Sequence, residues 1–113
     1  MNPGDVVLIP LQQAAGGAPK LRPALVLSRL PGAFQNVLIC GISTRLRDLV
    51  DDWDELVRTA DQDFRPSGLH HESAIRLSYL YAADSREIVG TIGQIDSAGL
   101  KRLLTRLSDH LRK

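Results

Sequence analysis

One arginine and two hydroxyl residues occupy positions from which they could bind an anion. Arg22 lies at the start of the apolar run 21–28, and Ser43 and Thr44 end a second apolar run, 36–44. Both runs are rich in Val, Ile and Leu and are separated by a break with Pro and Gly, which predicts two adjacent antiparallel strands. Antiparallel pairing would bring the guanidinium and the hydroxyls to one edge of the sheet, so the pattern predicts an anion site there.

Two histidines and an acid form a second candidate group. His70, His71 and Glu72 follow one another in a segment that interrupts the strand pattern. On their own the two histidines are typical of loop residues. A metal site is favoured even less, because the chain offers no adjoining third ligand pattern for a metal ion. We therefore predict no metal site.

Strands on either side of these groups must position them. Residues 6–9 are apolar and lie between Gly and Pro, which is typical of a short strand buried on both faces. Residues 11–20 contain Gly and Pro and predict a long loop. Residues 87–95 predict a late strand in which Gly90 and Gly93 indicate bends or bulges.

An alternating segment predicts one further strand before the late one. In residues 74–81 the side chains of Ile75, Leu77 and Tyr79 share one side, as expected for a half-buried strand. The acidic stretch before it is predicted to be irregular, with a short strand near residues 53–57.

The last segment predicts an amphipathic helix. Asp96 or Ser97 can cap its start. Leucines recur at three- and four-residue steps and form one apolar stripe: Leu100, Leu103, Leu104, Leu107 and Leu111. About five short strands and one helix predict a mainly β fold with a C-terminal helix, a small curved sheet or SH3-like barrel.

Composition limits the class of protein. A chain of 113 residues with 43% hydrophobic content suits a single domain over residues 1–113. The formal net charge of +1 neither indicates nor excludes nucleic-acid binding. A single cysteine, Cys40, excludes an internal disulfide and a cysteine-based zinc cluster, and we expect it to be a buried apolar side chain. The sequence has no signal-like segment and no apolar run of about 20 residues, so we expect a cytoplasmic protein without membrane contact.

Four segments, in their order and spacing, resemble the MazF/PemK toxins of type II toxin–antitoxin systems. They are residues 4–9, 20–28, 37–44 and 73–77, of which the second contains Arg-Pro-Ala-Leu-Val-Leu-Ser. The likeness covers nearly the whole chain and includes the leucine-striped helix. The resemblance implies the SH3-like barrel that this family shares with the gyrase poison CcdB, usually as a homodimer.

The resemblance also implies an activity. Such toxins are endoribonucleases that cut single-stranded mRNA without a metal or other cofactor and leave 2′,3′-cyclic phosphate and 5′-hydroxyl ends. The nucleophile is then the 2′-oxygen of the substrate. A cognate antitoxin would place a disordered tail in the RNA groove, beside a mobile loop that corresponds to residues 12–20.

The family's functional residues can be carried over one by one. The arginine before proline matches Arg22, which would hold the phosphate and could act as general acid. The family's threonine matches Ser43, with Thr44 one step on, and either hydroxyl would support the transition state. The remaining cations are expected to contact RNA phosphates: Lys20, Arg45, Arg47 and Arg76.

The sequence departs from the family at the acid–base positions. PemK-type members carry Arg-x-Asp-x-x-Arg before the late strand, where this chain reads His71 to Arg76, with Ser73 in place of the aspartate. His71 and Glu72 are the candidates to take over proton transfer. A shift of one residue along a strand would, however, turn a side chain to the other face.

Base recognition would need aromatic side chains around the groove. The candidates for stacking are four residues, for all of which packing inside the barrel is the favoured interpretation: Trp53, Phe64, Tyr79 and Tyr81.

Two alternatives to the ribonuclease stay open. One is a toxin without catalysis that binds a protein target, as CcdB does. That family ends its helix in Trp-Gly-Ile, whereas residues 110–113 here read His-Leu-Arg-Lys, which counts against this alternative. The other is a binding module that has lost catalysis, which Ser43 and Ser73 in place of the expected side chains would favour.

Overall fold

The computed structural model describes residues 1–12 and 16–113. Its strands are, in chain order, β1 (Asp5–Leu11), β2 (Lys20–Arg29), β3 (Asn36–Ser43), β4 (Glu55–Val57), β5 (Ser73–Asp84) and β6 (Gly90–Gln94). Its helices are α1 (Phe64–Ser67) and α2 (Ser97–Leu111), with short 3-10 turns at Leu46–Asp48 and Ser85–Glu87. The strands form one antiparallel sheet in the order β4-β5-β3-β2-β1-β6.

Both faces of this sheet are buried. On one face α2 inserts Leu103 and Leu107 into a cluster with residues of β1, β2, β3 and β5. On the other face a second cluster contains Val7 and Ile9 of β1 with residues from β2, β3 and the end of β5. The side chains of β1 therefore serve both clusters, which confirms the prediction of a strand buried on both faces.

Irregular pairing curls the sheet into a half-barrel. Between β1 and β6, Val6 lies opposite Gly93 but Val7 lies opposite Thr91, so Ile92 is an extra residue. The bulge next to Gly93 confirms the predicted bend. Bulges raise the local twist of a strand, and the result is the predicted mainly β fold with a C-terminal helix.

The one-turn helix α1 packs against β6. A Cβ atom on Gly93 would lie 2.2 Å from the carbonyl oxygen of Pro66, and one on Gly68 would lie 2.1 Å from that of Ile92. Gly68 has a φ of +76° and ends α1 in the left-handed conformation. The segment around residues 59–66, predicted as irregular, thus contains a helix that only glycines allow so near the sheet.

Other predictions about the elements were confirmed or corrected. The short strand β4 and the cap of α2 are confirmed, since the Gly99 N–H donates to Asp96 Oδ1 at 2.7 Å. Burial raises the pKa of the Cys40 thiol to about 12, as suits a buried apolar side chain. Tyr79 was predicted to share the buried side of its strand, and this is wrong, because 42% of it is exposed. No helix within residues 1–12 and 16–113 is long and apolar enough to span a membrane.

Candidate functional site

A groove with a volume of about 460 Å³ lies where β2, β3 and β5 meet. Its polar lining comes mainly from residues that are far apart in sequence: Arg22, Ser43, Arg45, Arg76, Ser78 and Tyr79. Three guanidinium groups in one groove make it a candidate site for a polyanion.

Strand register explains why these residues converge. Ala24 of β2 lies opposite Gly41 of β3, and Gly41 lies opposite Arg76 of β5. Arg22 and Ser43 are each two residues beyond the Ala24–Gly41 pair, on the same side of it. The predicted convergence of Arg22 and Ser43 at one edge therefore follows from the pairing of β2 with β3, and both side chains line the groove.

Arg76 is held by a buried carboxylate. The Asp54 side chain is fully buried, and its Oδ2 atom lies 3.0 Å from Arg76 Nε. The same carboxylate accepts hydrogen bonds from the backbone N–H of Leu77 and of Val50, each at 3.0 Å. Arg76 Nε has no hydrogen-bond partner of good geometry among the described residues, so the contact with Asp54 is ionic. The ion pair fixes the stem of Arg76 while about a quarter of its side chain stays exposed.

Helix α2 supports the segment that carries Asp54. Arg106 donates to the backbone carbonyl oxygens of Trp53 and Asp54, at 3.5 and 3.4 Å. Its other terminal nitrogen lies 3.6 Å from Glu55 Oε1. Trp53 in turn donates from Nε1 to Ser78 Oγ at 2.8 Å. The C-terminal helix is thereby connected to the groove through this segment.

The end of β3 presents a hydroxyl that is ready to donate. Ser43 Oγ accepts a hydrogen bond from the Arg45 backbone N–H at 3.1 Å, which leaves the hydroxyl proton of Ser43 free for another partner. The Arg45 side chain pairs with Asp48 at 3.3 Å. Both side chains are more than 40% exposed, so this ion pair contributes little to stability.

Not every predicted residue reaches the groove. Lys20, Thr44 and Arg47 are exposed but are not part of its lining. His71 and Glu72 are exposed before β5 and also lie outside the lining. Glu72 instead accepts a hydrogen bond from the Thr59 backbone N–H at 3.4 Å.

The hydroxyl in the groove on β5 is Ser78 and not Ser73. Ser73 is buried and donates to the carbonyl oxygen of His71 at 2.8 Å, away from the groove. Arg76-Leu77-Ser78 places an arginine and a hydroxyl in the groove with one residue between them.

The loop before β2 contributes at its first residue. Gln12 lines the groove, and its Nε2 donates to the carbonyl oxygen of Gly17 at 2.7 Å. This bond links the two ends of the loop. The predicted mobile loop spans residues 12–20, of which 13–15 lie outside the described residues.

The aromatic candidates divide into two pairs. Trp53 and Phe64 are partly buried against the core, so the packing interpretation is confirmed for them. It is wrong for Tyr79 and Tyr81, which are 42% and 38% exposed. Tyr81 donates to Glu87 at 3.0 Å, which raises the pKa of its phenol, and it lies outside the groove. Tyr79 alone of the four lines the groove.

Sequence reasoning missed Asp54 and Ser78, and it named Tyr79 as a stacking candidate but favoured packing inside the barrel. Asp54 belongs to an acidic stretch that was predicted to be irregular, and nothing in that stretch indicated a buried carboxylate. Tyr79 and Ser78 followed an alternating pattern whose continuation is interrupted in the structure. No local signal in the sequence reveals that interruption.

Comparisons with known proteins agree with this fold. The family model described as PemK-like, MazF-like toxin of type II toxin–antitoxin system matches residues 2–111. Among solved structures, the Mycobacterium tuberculosis toxin MazF-mt6 matches with a TM-score of 0.67 and 19% sequence identity, covering 96% of each chain. A search of curated proteins found no significant match. The structural match supports the half-barrel fold, and the family model covers the strands that line the groove.

Proposed function

Because this chain belongs to the PemK-like, MazF-like toxin family of type II toxin–antitoxin systems, we propose that it is the toxin of such a pair and cleaves single-stranded mRNA in the cytoplasm. One observation carries the proposal, namely the groove in which Arg22, Arg76 and Ser43 lie together. Two guanidinium groups and a hydroxyl donor are well suited to hold an RNA phosphate and to stabilise added charge on it.

The proposed reaction uses the substrate's own nucleophile. The 2′-oxygen of one nucleotide attacks the neighbouring phosphorus, and the bond from phosphorus to the 5′-oxygen breaks. The products are a 2′,3′-cyclic phosphate and a 5′-hydroxyl. The protein must align the attacking and leaving oxygens, move two protons and stabilise the pentacoordinate phosphorane.

Charge stabilisation falls to the arginines and the serine. Arg22 is exposed at the start of β2 and can bind two phosphoryl oxygens at once. Arg76, held by Asp54, supplies a second and more rigid positive charge. The Ser43 hydroxyl donates a hydrogen bond to a phosphoryl oxygen, because its own oxygen already accepts a hydrogen bond from the Arg45 backbone N–H. Thr44, one residue on, is a rim residue in this mechanism.

The two protons move at opposite ends of the reacting group. Arg22 donates a proton to the leaving 5′-oxygen, which is favourable because an alkoxide is a stronger base than a neutral guanidine. Asp48 is the carboxylate among the described groove-lining residues, and we propose that it accepts the proton of the attacking 2′-hydroxyl as general base. His71 and Glu72 lie outside the groove and take no step in this mechanism.

The same groove is the proposed docking site of a cognate antitoxin. A disordered acidic segment could occupy the arginines that otherwise bind RNA, and it would order on binding. We also propose that the active toxin is a homodimer, as is usual in the family. The antitoxin would then inhibit the toxin by competing with RNA for the cationic groove.

The proposal is tested by incubating the purified protein with a long single-stranded RNA in EDTA and mapping the fragment ends chemically. We expect discrete cuts with cyclic phosphate and 5′-hydroxyl ends, and none with Arg22→Ala. Intact RNA from a protein that still arrests growth would contradict the proposal and favour a toxin with a protein target. Cuts that require a divalent metal would contradict the mechanism.

A further inference from the structure

Tyr79 lies on a part of β5 that leaves the regular strand pairing. Cys40 of β3 lies opposite Leu80, but the next residue, Gly41, lies opposite Arg76. Residues 77–79 are therefore three extra residues on β5, and they form an excursion of the strand beside the groove. A regular strand would have carried Tyr79 along the sheet surface, whereas the excursion displays it at the groove.

The excursion is held at each of its residues. The backbone N–H of Leu77 donates to the buried Asp54 carboxylate at 3.0 Å, and Ser78 Oγ accepts from Trp53 Nε1 at 2.8 Å. The Tyr79 ring packs on Gly41, where an added Cβ would be only 3.3 Å from Cγ and Cδ1 of the ring. The tyrosine is thus placed in advance of any ligand, which reduces the entropy lost on binding.

Its neighbours define what the ring can bind. The Tyr79 ring packs on Gly41, which pairs across the sheet with Arg76, and Tyr79 and Arg76 both line the groove. With 42% of Tyr79 exposed, a large part of this residue remains free to contact a ligand. A flat heterocycle attached to a phosphate matches this arrangement, and an unpaired nucleotide has both parts.

We propose that Tyr79 stacks on an unpaired base next to the phosphate bound by Arg22 and Arg76, and that this contact helps to determine which RNA sequences are cut. The inference rests on the proposed ribonuclease function and adds a residue for base selection. Stacking accepts every base to some degree but favours those with larger aromatic surfaces, so purines would be preferred at this position.

The matched control is two residues along the same strand. Tyr81 is the same residue type, is exposed to a similar degree and lies outside the groove. Loss of Tyr81 therefore removes an exposed aromatic ring without touching the proposed stacking position. Gly41→Ala provides a second probe, because its methyl group would displace the Tyr79 ring by a few tenths of an ångström while keeping its chemistry.

The experiment digests a pool of single-stranded RNAs with randomised sequence and reads the cut sites of each variant by sequencing. We expect the wild type, Tyr79→Phe and Tyr81→Ala to select the same sites. Tyr79→Ala should cut roughly 10- to 100-fold more slowly and lose its preference at one nucleotide beside the cut, with the other positions unchanged. Gly41→Ala should weaken the preference at that same nucleotide.

Two results would overturn the inference. One is a Tyr79→Ala variant that keeps the rate and site preference of the wild type. The other is equal loss with Tyr81→Ala, which would show a general effect on the fold.

If the wild type cuts no RNA, the proposed function fails, and a pool of 2′-O-methyl RNA, which cannot be cleaved, then tests the stacking contact separately. Binding by the wild type that falls at least 10-fold in Tyr79→Ala would support the contact, and equal or absent binding would overturn it.

Discussion

The groove and a second cleft both contain arginines but use them differently. The second cleft, of about 290 Å³, lies between β4 and α2 and is lined by several acids together with Arg102. There Arg102 Nε lies 3.1 Å from Glu55 Oε1, so its charge is neutralised within the protein. In the groove, Arg22 makes no ion pair within the described part of the chain. Of the two clefts, the groove is thus the one that offers an anionic ligand an arginine, Arg22, without an ion-pair partner among the described residues.

Arg76 and Arg102 sharpen this contrast, because each has a carboxylate partner. The partner of Arg76 is fully buried, whereas Glu55, the partner of Arg102, is 18% exposed and Arg102 itself is 55% exposed. The buried Asp54 carboxylate holds the Nε end of the Arg76 side chain, and Arg76 still lines the groove. The pair of Arg102 with Glu55 instead connects α2 to β4. The position of the partner carboxylate therefore determines whether the arginine only links two elements or is also presented to a ligand.

The largest expected effect is that of Arg22→Ala. Removing the phosphate clamp should lower the cleavage rate at least roughly 100- to 1000-fold. The free energy of unfolding should change by less than about 0.5 kcal/mol, because Arg22 is exposed. Cleavage of an end-labelled RNA and urea denaturation measure the two quantities. Arg102→Ala is the control and should keep full cleavage, and equal loss in both variants would break the comparison of the two clefts.

The second largest expected effect is a loss of stability, and it is measured by comparing substitutions at two neighbouring residues, Asp54 and Glu55. Asp54→Asn leaves Arg76 without its counter-charge and should lower the free energy of unfolding by about 3 kcal/mol. Glu55→Gln weakens the pairs with Arg102 and Arg106, in which each arginine is partly exposed, and should cost less, about 1 kcal/mol. Urea denaturation of both variants gives the difference. Equal costs would mean that the two carboxylates do not differ in the way their burial indicates.

The smallest effect concerns the rim of the groove. Arg45→Gln should leave stability unchanged and reduce the salt dependence of RNA binding, lowering the slope of log K against log salt by about 0.7. Affinity for a 2′-O-methyl RNA between about 50 and about 200 mM KCl measures this slope. Arg112→Gln is the matched control, since Arg112 and Asp109 form an exposed pair with the same three-residue spacing as Arg45 and Asp48. An unchanged slope for Arg45→Gln would place Arg45 outside the RNA path.

The sequence allowed the strands and the main cationic site to be predicted for physical reasons. Apolar runs bounded by Pro and Gly identify strands, and antiparallel pairing of two such runs leads directly to Arg22 beside Ser43. The leucine stripe of α2 and its cap at Asp96 are equally local signals. Each of these features depends on residues a few positions apart, which is the range that periodicity can reveal.

The rest of the site depends on contacts between distant residues. The excursion that displays Tyr79 is tied to Asp54, which lies 23 residues earlier than Leu77. The alternating pattern of residues 74–81 gives no indication of the contact between Leu77 and Asp54. The same is true of Gly93, whose lack of a side chain admits α1 from a different part of the chain. Such features follow from the packed fold and cannot be read from local patterns.

The pairing of β1 with β6 has a consequence for how the protein is made. Gln94 Nε2 donates to Asp5 Oδ1 at 3.2 Å, across a sequence separation of 89 residues. Contacts of such long range slow folding, because the chain must first close a large loop. During synthesis, β1 has no partner on its β6 side until residue 94 has left the ribosome. A growing chain therefore exposes an open strand edge until β6 has been made, and that edge is where wrong pairing with other chains would begin.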